Sequence, residues 1–303
     1  MQTTFKSLPA GSDLMILGDL FDKAQVALSD LLFAYTALSE WLERGRTLYL
    51  VSGNHDDEKT SGKLSSFDML GELLKQYFPH TVAVIKGGGV LTPYGYVISH
   101  MPNQQMFDIE LLKVPECKVL FLHVNYDNFF AAQSDQSLNI SKEQVTACKA
   151  KKIVIAHEHV TKQDGKVIIP GNQIPTSVSD WQGCDAKYLT QVTAEGVVTL
   201  LKIADRADHY SEQPWDSPEI TDHKFVKLVG DATAEQAAQV VSAVAKFRAA
   251  SSAFVVSNGV RIATESGAAG FGESLESVRA FDVLAALAEV LTKDEMTVLK
   301  GLE

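Results

Sequence analysis

Two segments decide the reading of this chain: LMILGDLFD (residues 14–22) and LYLVSGNHD (residues 48–56). Each opens with four apolar residues, Leu14 to Leu17 and Leu48 to Val51, the unbroken run of a strand covered on both faces of a parallel sheet. Between them, over residues 24–42, Leu28, Leu31, Leu32, Tyr35, Leu38 and Leu42 recur at helical spacing. The unit is therefore βαβ, and both strands run into a polar turn at one sheet edge. Ligands of open α/β sheets bind beyond the carboxyl ends of the strands. Asp19, Asp22, Asn54, His55 and Asp56 are thus expected to meet in one small volume.

Further strands end in the same way. KVLFLH ends at His123, and KKIVIAHEH carries His157 and His159. A single histidine after a strand is ordinarily a polar cap. Four strand ends that all offer oxygen or imidazole donors describe a metal site. Carboxylate, amide oxygen and neutral imidazole without thiolate suit Mn, Fe or Zn.

In this order GDLFD, GNHDD, the lone His123 and the pair His157 and His159 resemble the motifs of the calcineurin-like metallophosphoesterases. The resemblance covers the first two thirds of the chain. It implies a layered αββα sandwich and a two-metal centre, with Mn²⁺ as the expected ion and Fe, Zn or Mg as alternatives. A second stretch, PGNQIPTSVSDW (residues 170–181), resembles a segment of the SbcD-like DNA double-strand-break nucleases.

The family's motifs assign roles residue by residue. Asp19 would bridge the metals, Asn54, His123 and His157 would complete one ion, and His159 would bind the other. His55 would stay off the metals as general acid to the leaving oxygen. Asp56 joins His55 in the catalytic group, and Asp22 and Asp56 would orient the histidines. His100, which ends YVISH, competes with His123 for the lone-histidine role and otherwise lies near substrate. His123 is preferred because one helix, residues 142–150, separates its strand from that of His157.

The chain departs from the family pattern in two places. Ala156 stands where the family has the glycine before its His-x-His pair. The opening Asp-x-His motif is absent, which leaves only Asp19 and His159 for the second ion. One well-formed metal site and one weak one are expected. Residues 2–8 read as the end of the helix that follows that motif, so the expectation is a truncated form of a longer active parent.

Composition sets the outer bounds. Of 303 residues, 46% are hydrophobic and 21% charged, ordinary values for a globular chain. No apolar run approaches the ~20 residues of a membrane helix, and three scattered cysteines suit a reducing cytoplasm. The net charge of −11 argues against a broad basic face for nucleic acid. Divalent ions would still reverse the local field, and Lys59 and Lys63 could follow a phosphate backbone.

Residues 1–204 read as the phosphoesterase domain, 205–223 as a linker, and 224–303 as a small α/β cap domain. Residues 187–203 read as a hairpin turning at Glu195 and Gly196 that closes the second sheet. Thr233 and Gln236 have capping-box spacing, GAAGFGES (residues 267–274) is a glycine-rich loop, and residues 274–302 read as helices. Tyr126 and Phe129 could shape a pocket.

The resemblance implies a metal-dependent DNA exonuclease/endonuclease in which metal-activated hydroxide cuts phosphodiester bonds. A coiled-coil ATPase partner on the carboxy-terminal helices and a homodimer go with that reading. The alternatives are a phosphatase or phosphodiesterase on nucleotides or phosphoproteins, and a degenerate, non-catalytic binding module.

Overall fold

Alternation of side chains along the strands sets the layering. The computed structural model describes residue 8 and residues 11–58, 63–128, 137–181 and 183–263. Residues 2–7, Lys59, Phe129, the glycine-rich loop and the helices read over 274–302 lie outside the described residues. Strands β1 (Leu14–Leu17), β2 (Leu48–Val51) and β3 (Val82–Ile85) form a parallel sheet in that order. Helices α1 (Leu28–Leu42) and α2 (Ser66–Tyr77) cover its outer face. A capping box, with Ser65 and Asp68 exchanging side-chain and backbone hydrogen bonds, starts α2.

The second sheet contains β4 (Gly89–Thr92), β5 (Gly95–Ile98), β6 (Val119–Tyr126), β7 (Asn139–Ile140), β8 (Lys152–His157), β9 (Lys162–Asp164) and β10 (Val167–Ile169). Their order is β4-β5-β6-β8-β10-β9, with β7 beside β6. Helices α3 (Gln104–Leu112) and α4 (Lys142–Ala147) lie on its outer face. In β2, Leu48 and Leu50 pack under Trp41 and Leu70, whereas Tyr49 and Val51 face the other sheet. In β6, Val119 and Phe121 meet them there, and Leu120 and Leu122 turn outward to Phe107 and Val145. The result is the αββα sandwich. By the same period of two, His123 falls on the inner face, at the carboxyl end of the layer between the sheets.

GVLT is β4 and pairs antiparallel with β5. Residues 187–203 do form a hairpin, Ala186–Val192 (β11) with Val198–Asp205 (β12), turning at Gly196 with φ +84°. This hairpin is its own two-stranded sheet and does not extend the seven-stranded one. It is anchored instead by Val192 and Val198, which pack against the inter-sheet core. Tyr126 is buried, and its hydroxyl donates to Asp164 (2.8 Å).

The segment 205–223 is not simply a connection. Tyr210–Pro214 (β13) pairs parallel with Phe225–Thr233 (β14), which pairs parallel with Val255–Ala263 (β15). β13 is the outer strand, where polar side chains and a terminal proline are tolerated, so its sequence reads like a linker. Helix α5 (Ala237–Ala250) packs Val240 and Phe247 onto Val226, Leu228 and Trp215. The Gln236 side chain accepts the Thr233 N–H at the helix start (2.9 Å). Val178, Trp181 and Cys184 pack on Tyr210 and Phe225, joining this sheet to the segment that follows β10. Among the described residues, no helix is long and apolar enough to cross a membrane.

Candidate metal centre

Two glycines let the donor groups approach. Gly18 ends β1 with φ +84°, and a Cβ there would stand 2.1 Å from His123 Nδ1. At Gly53 a Cβ would stand 2.2 Å from Asp19 Oδ1. The glycines of the Gly-Asp and Gly-Asn-His turns are therefore the space that the donors occupy. Asp19 follows at φ +49°, and His157 ends β8 at φ +90°. Such conformations cost on the order of 1–3 kcal/mol each and persist where the surroundings enforce them. One such restraint is Glu158, whose carboxylate accepts the Tyr126 N–H (2.6 Å) and ties the turn after His157 to the end of β6.

Asp19, His123 and His157 offer donor atoms that all lie within 4.8 Å of one another. Asp19 Oδ2 is 3.0 Å from His123 Nε2 and 3.9 Å from His157 Nδ1. Asn54 Oδ1 lies 3.0 Å from the same His123 Nε2. The other ring nitrogen, Nδ1, is 2.9 Å from the Leu17 carbonyl oxygen. Both nitrogens of this buried ring thus face oxygens, which favours the doubly protonated imidazolium. Burial alone would lower the His123 pKa, but the bonded Asp19 carboxylate and the Leu17 carbonyl raise it above its ordinary value. Burial likewise opposes ionisation of Asp19, yet the His123 and His157 imidazoles and the His55 amide hold its carboxyl well below the usual range.

These donors fit a divalent cation. A proton on His123 Nε2 sits between a carboxylate, an amide oxygen and a second imidazole, where a cation can replace it. The Nδ1–H bond to Leu17 then fixes the tautomer that ligates. Because His123 must lose its proton, Mn²⁺ binding at pH 7 is expected to release protons, and affinity should fall as the pH falls. Calorimetry in two buffers of different ionisation enthalpy reads this directly. Equal binding heats in both buffers would refute the displaced-proton description.

The remaining residues divide around this group. His55 donates its N–H to Asp19 Oδ1 (3.0 Å), and its ring Nδ1 lies 2.9 Å from the Asp22 carbonyl oxygen. Asp22 therefore orients the histidine through its backbone, and its exposed carboxylate is not the contact. Asp56 is fully buried and accepts the Gly53 and Phe21 amides (2.9 and 3.2 Å). It staples the two turns together through these backbone bonds. Burial, with Asp19 nearby, pushes its pKa up to about 6 against the pull of those amides.

His100 lies at the same edge, its N–H donating to the Ser52 carbonyl (2.9 Å), but it is outside the donor group. His159 is also outside it. Its ring Nδ1 is 2.7 Å from Asp180 Oδ1, and the side chain is half exposed. Asp180 itself escaped sequence reading. It ends the PGNQIPTSVSDW stretch, but nothing in its spacing tells which histidine it serves.

Fold and donors together define an α/β sandwich with a candidate metal centre at the carboxyl edge of the parallel strands in its parallel and mixed sheets. The calcineurin-like phosphoesterase family profile matches residues 2–161, more than half of the chain, and the chain belongs to that family. Comparison with curated proteins finds no match. Membership of that family supports a metal-dependent phosphoester hydrolase.

Proposed function

We propose that this chain is a DNA phosphodiesterase of the SbcD-like nuclease kind. The observation that carries the phosphodiesterase part is the convergence of Asp19, His123 and His157, whose donor atoms lie within 4.8 Å of one another, with Asn54 Oδ1 3.0 Å from His123 Nε2. A bound divalent ion there supplies an acidified water and neutralises phosphate charge. The residues do the rest. Asp19 holds the negative charge that balances the cation, and His123 is locked by Leu17 so that Nε2 alone faces the centre. His55 donates Nδ1–H to the Asp22 carbonyl, and in its imidazolium form it would carry a second proton on Nε2 to give to the leaving oxygen.

The DNA assignment is supported by the resemblance of residues 170–181 and by where that segment lies. It runs from the His159 turn to the β13-β14-β15 sheet through Trp181. A cap unit joined to the sandwich through this segment would suit a long substrate. Linear duplex DNA and bis-p-nitrophenyl phosphate, each with Mn²⁺, test the reading. DNA should be degraded, and His55→Ala should lower the rate by ~10²–10⁴-fold, the usual contribution of a proton donor. Turnover of the small diester alone would move the assignment to a nucleotide or small-substrate phosphodiesterase. Mn²⁺ binding with no turnover of either would leave a binding module.

A further inference from the structure

The segment from Pro170 to Lys187 is built around the turn that carries His159. Gly171, at φ +76°, passes so close that a Cβ would stand 2.7 Å from the His159 carbonyl oxygen. That carbonyl accepts the Asn172 N–H (3.2 Å) and the Lys187 ammonium (3.2 Å). Lys187 is fully buried, and it also donates to Asn172 Oδ1 (2.6 Å) and to the Asp180 carbonyl (2.5 Å). All three ammonium protons thus have partners, which a buried lysine requires. Asp180 is buried as well. Its Oδ2 accepts the Thr176 amide (2.7 Å), the Ser177 amide (3.0 Å) and the Thr176 hydroxyl (3.2 Å), and its Oδ1 faces His159 Nδ1 (2.7 Å).

We propose that Asp180 is a positioning residue that fixes the tautomer of His159, keeping the proton on Nδ1 and leaving Nε2 as the donor to a divalent ion. This rests on the metal-dependent function proposed above and adds to it His159, which stands outside the Asp19, His123 and His157 donor group, as a ligand. The chemistry is directional. Oδ2 is committed to three donors, so the carboxylate cannot rotate without breaking them, and Oδ1 can only accept. Lys187 fixes the backbone of both residues, so that the pair keeps its spacing. A carboxylate bound to the far nitrogen of a ligating histidine also raises that ligand's basicity.

Asp180→Asn supplies a sharp test because it preserves shape. The asparagine oxygen must stay on the Thr176 and Ser177 amides, so its NH₂ is turned to His159 Nδ1. That nitrogen then accepts, and the proton moves to Nε2, where it blocks the metal. Two-bond ¹H–¹⁵N spectra of the metal-free chain at about pH 8.5, above the ordinary imidazole pKa, read the tautomer. The His159 signals are assigned by their loss in His159→Gln. The wild type should show the Nδ1–H form, and Asp180→Asn should show the Nε2–H form. Mn²⁺ titration should then show one ion bound 10–100-fold more weakly in the variant.

An Nε2–H tautomer in the wild type overturns the proposal and needs no variant to fold. So does an unchanged tautomer in a folded Asp180→Asn. Failure of the metal reading shows differently: the wild type would bind no Mn²⁺ at all while keeping the Nδ1–H form.

Discussion

Asp19→Asn is expected to lower Mn²⁺ affinity and phosphodiester hydrolysis by more than ~100-fold, beyond what loss of an outer hydrogen-bond partner costs a metal site, while the chain still folds. Asparagine is the same size and is among the few residues that accept φ +49°. Its oxygen can still take the His55 N–H. The charge is what disappears. His123 loses the carboxylate that raises its pKa, and the cation loses the one anionic donor among Asp19, Asn54, His123 and His157. Calorimetric titration with Mn²⁺ and thermal unfolding separate the two effects. Affinity that survives the substitution would mean that the ion, if bound, sits elsewhere.

Gly18→Ala should cost the chain both its metal and much of its stability. The residue holds φ +84°, where an L side chain costs roughly 1–2 kcal/mol. Its new methyl would also overlap the His123 ring, which is pinned by Leu17, Asp19 and Asn54. Overpacking of this kind adds about 1–3 kcal/mol. A total of about 2–5 kcal/mol is a large part of what holds a typical domain folded. Gly53→Ala should be costly as well, because a Cβ there would stand 2.4 Å from the Asp19 backbone nitrogen, which no side-chain rotation relieves, and 2.2 Å from Asp19 Oδ1. It too should lose both stability and Mn²⁺ binding. A wild-type melting temperature in either variant would contradict the close approach of these turns.

Much of the sheet architecture could be read from the chain because the strands are short and continuously apolar. LMIL and LYLV are β1 and β2 with the bounds read from the sequence. The convergence of Asp19, Asn54, His123 and His157 followed, since Asp19 and Asn54 sit in turns after strands, His157 ends β8, and His123 lies three residues before the end of β6. What could not be read were contacts made by backbone. Nothing in the sequence says that Asp22 orients His55 through its carbonyl, or that Asp56 is consumed by two amides. Spacing also missed β13, whose polar residues suit an edge strand. His159 was legible as a histidine beside the site. Its capture by Asp180, 21 residues away, depends on how residues 170–187 fold back, and no local pattern encodes that.

Anomalous diffraction from crystals grown with Mn²⁺, recorded above and below the manganese edge, measures the centre most directly. A peak within bonding distance of Asp19 Oδ2, Asn54 Oδ1, His123 Nε2 and His157 Nδ1 is the result these geometries require. A fully occupied manganese site away from those four atoms, or none at saturating Mn²⁺, would contradict the assignment of this edge as the catalytic metal centre.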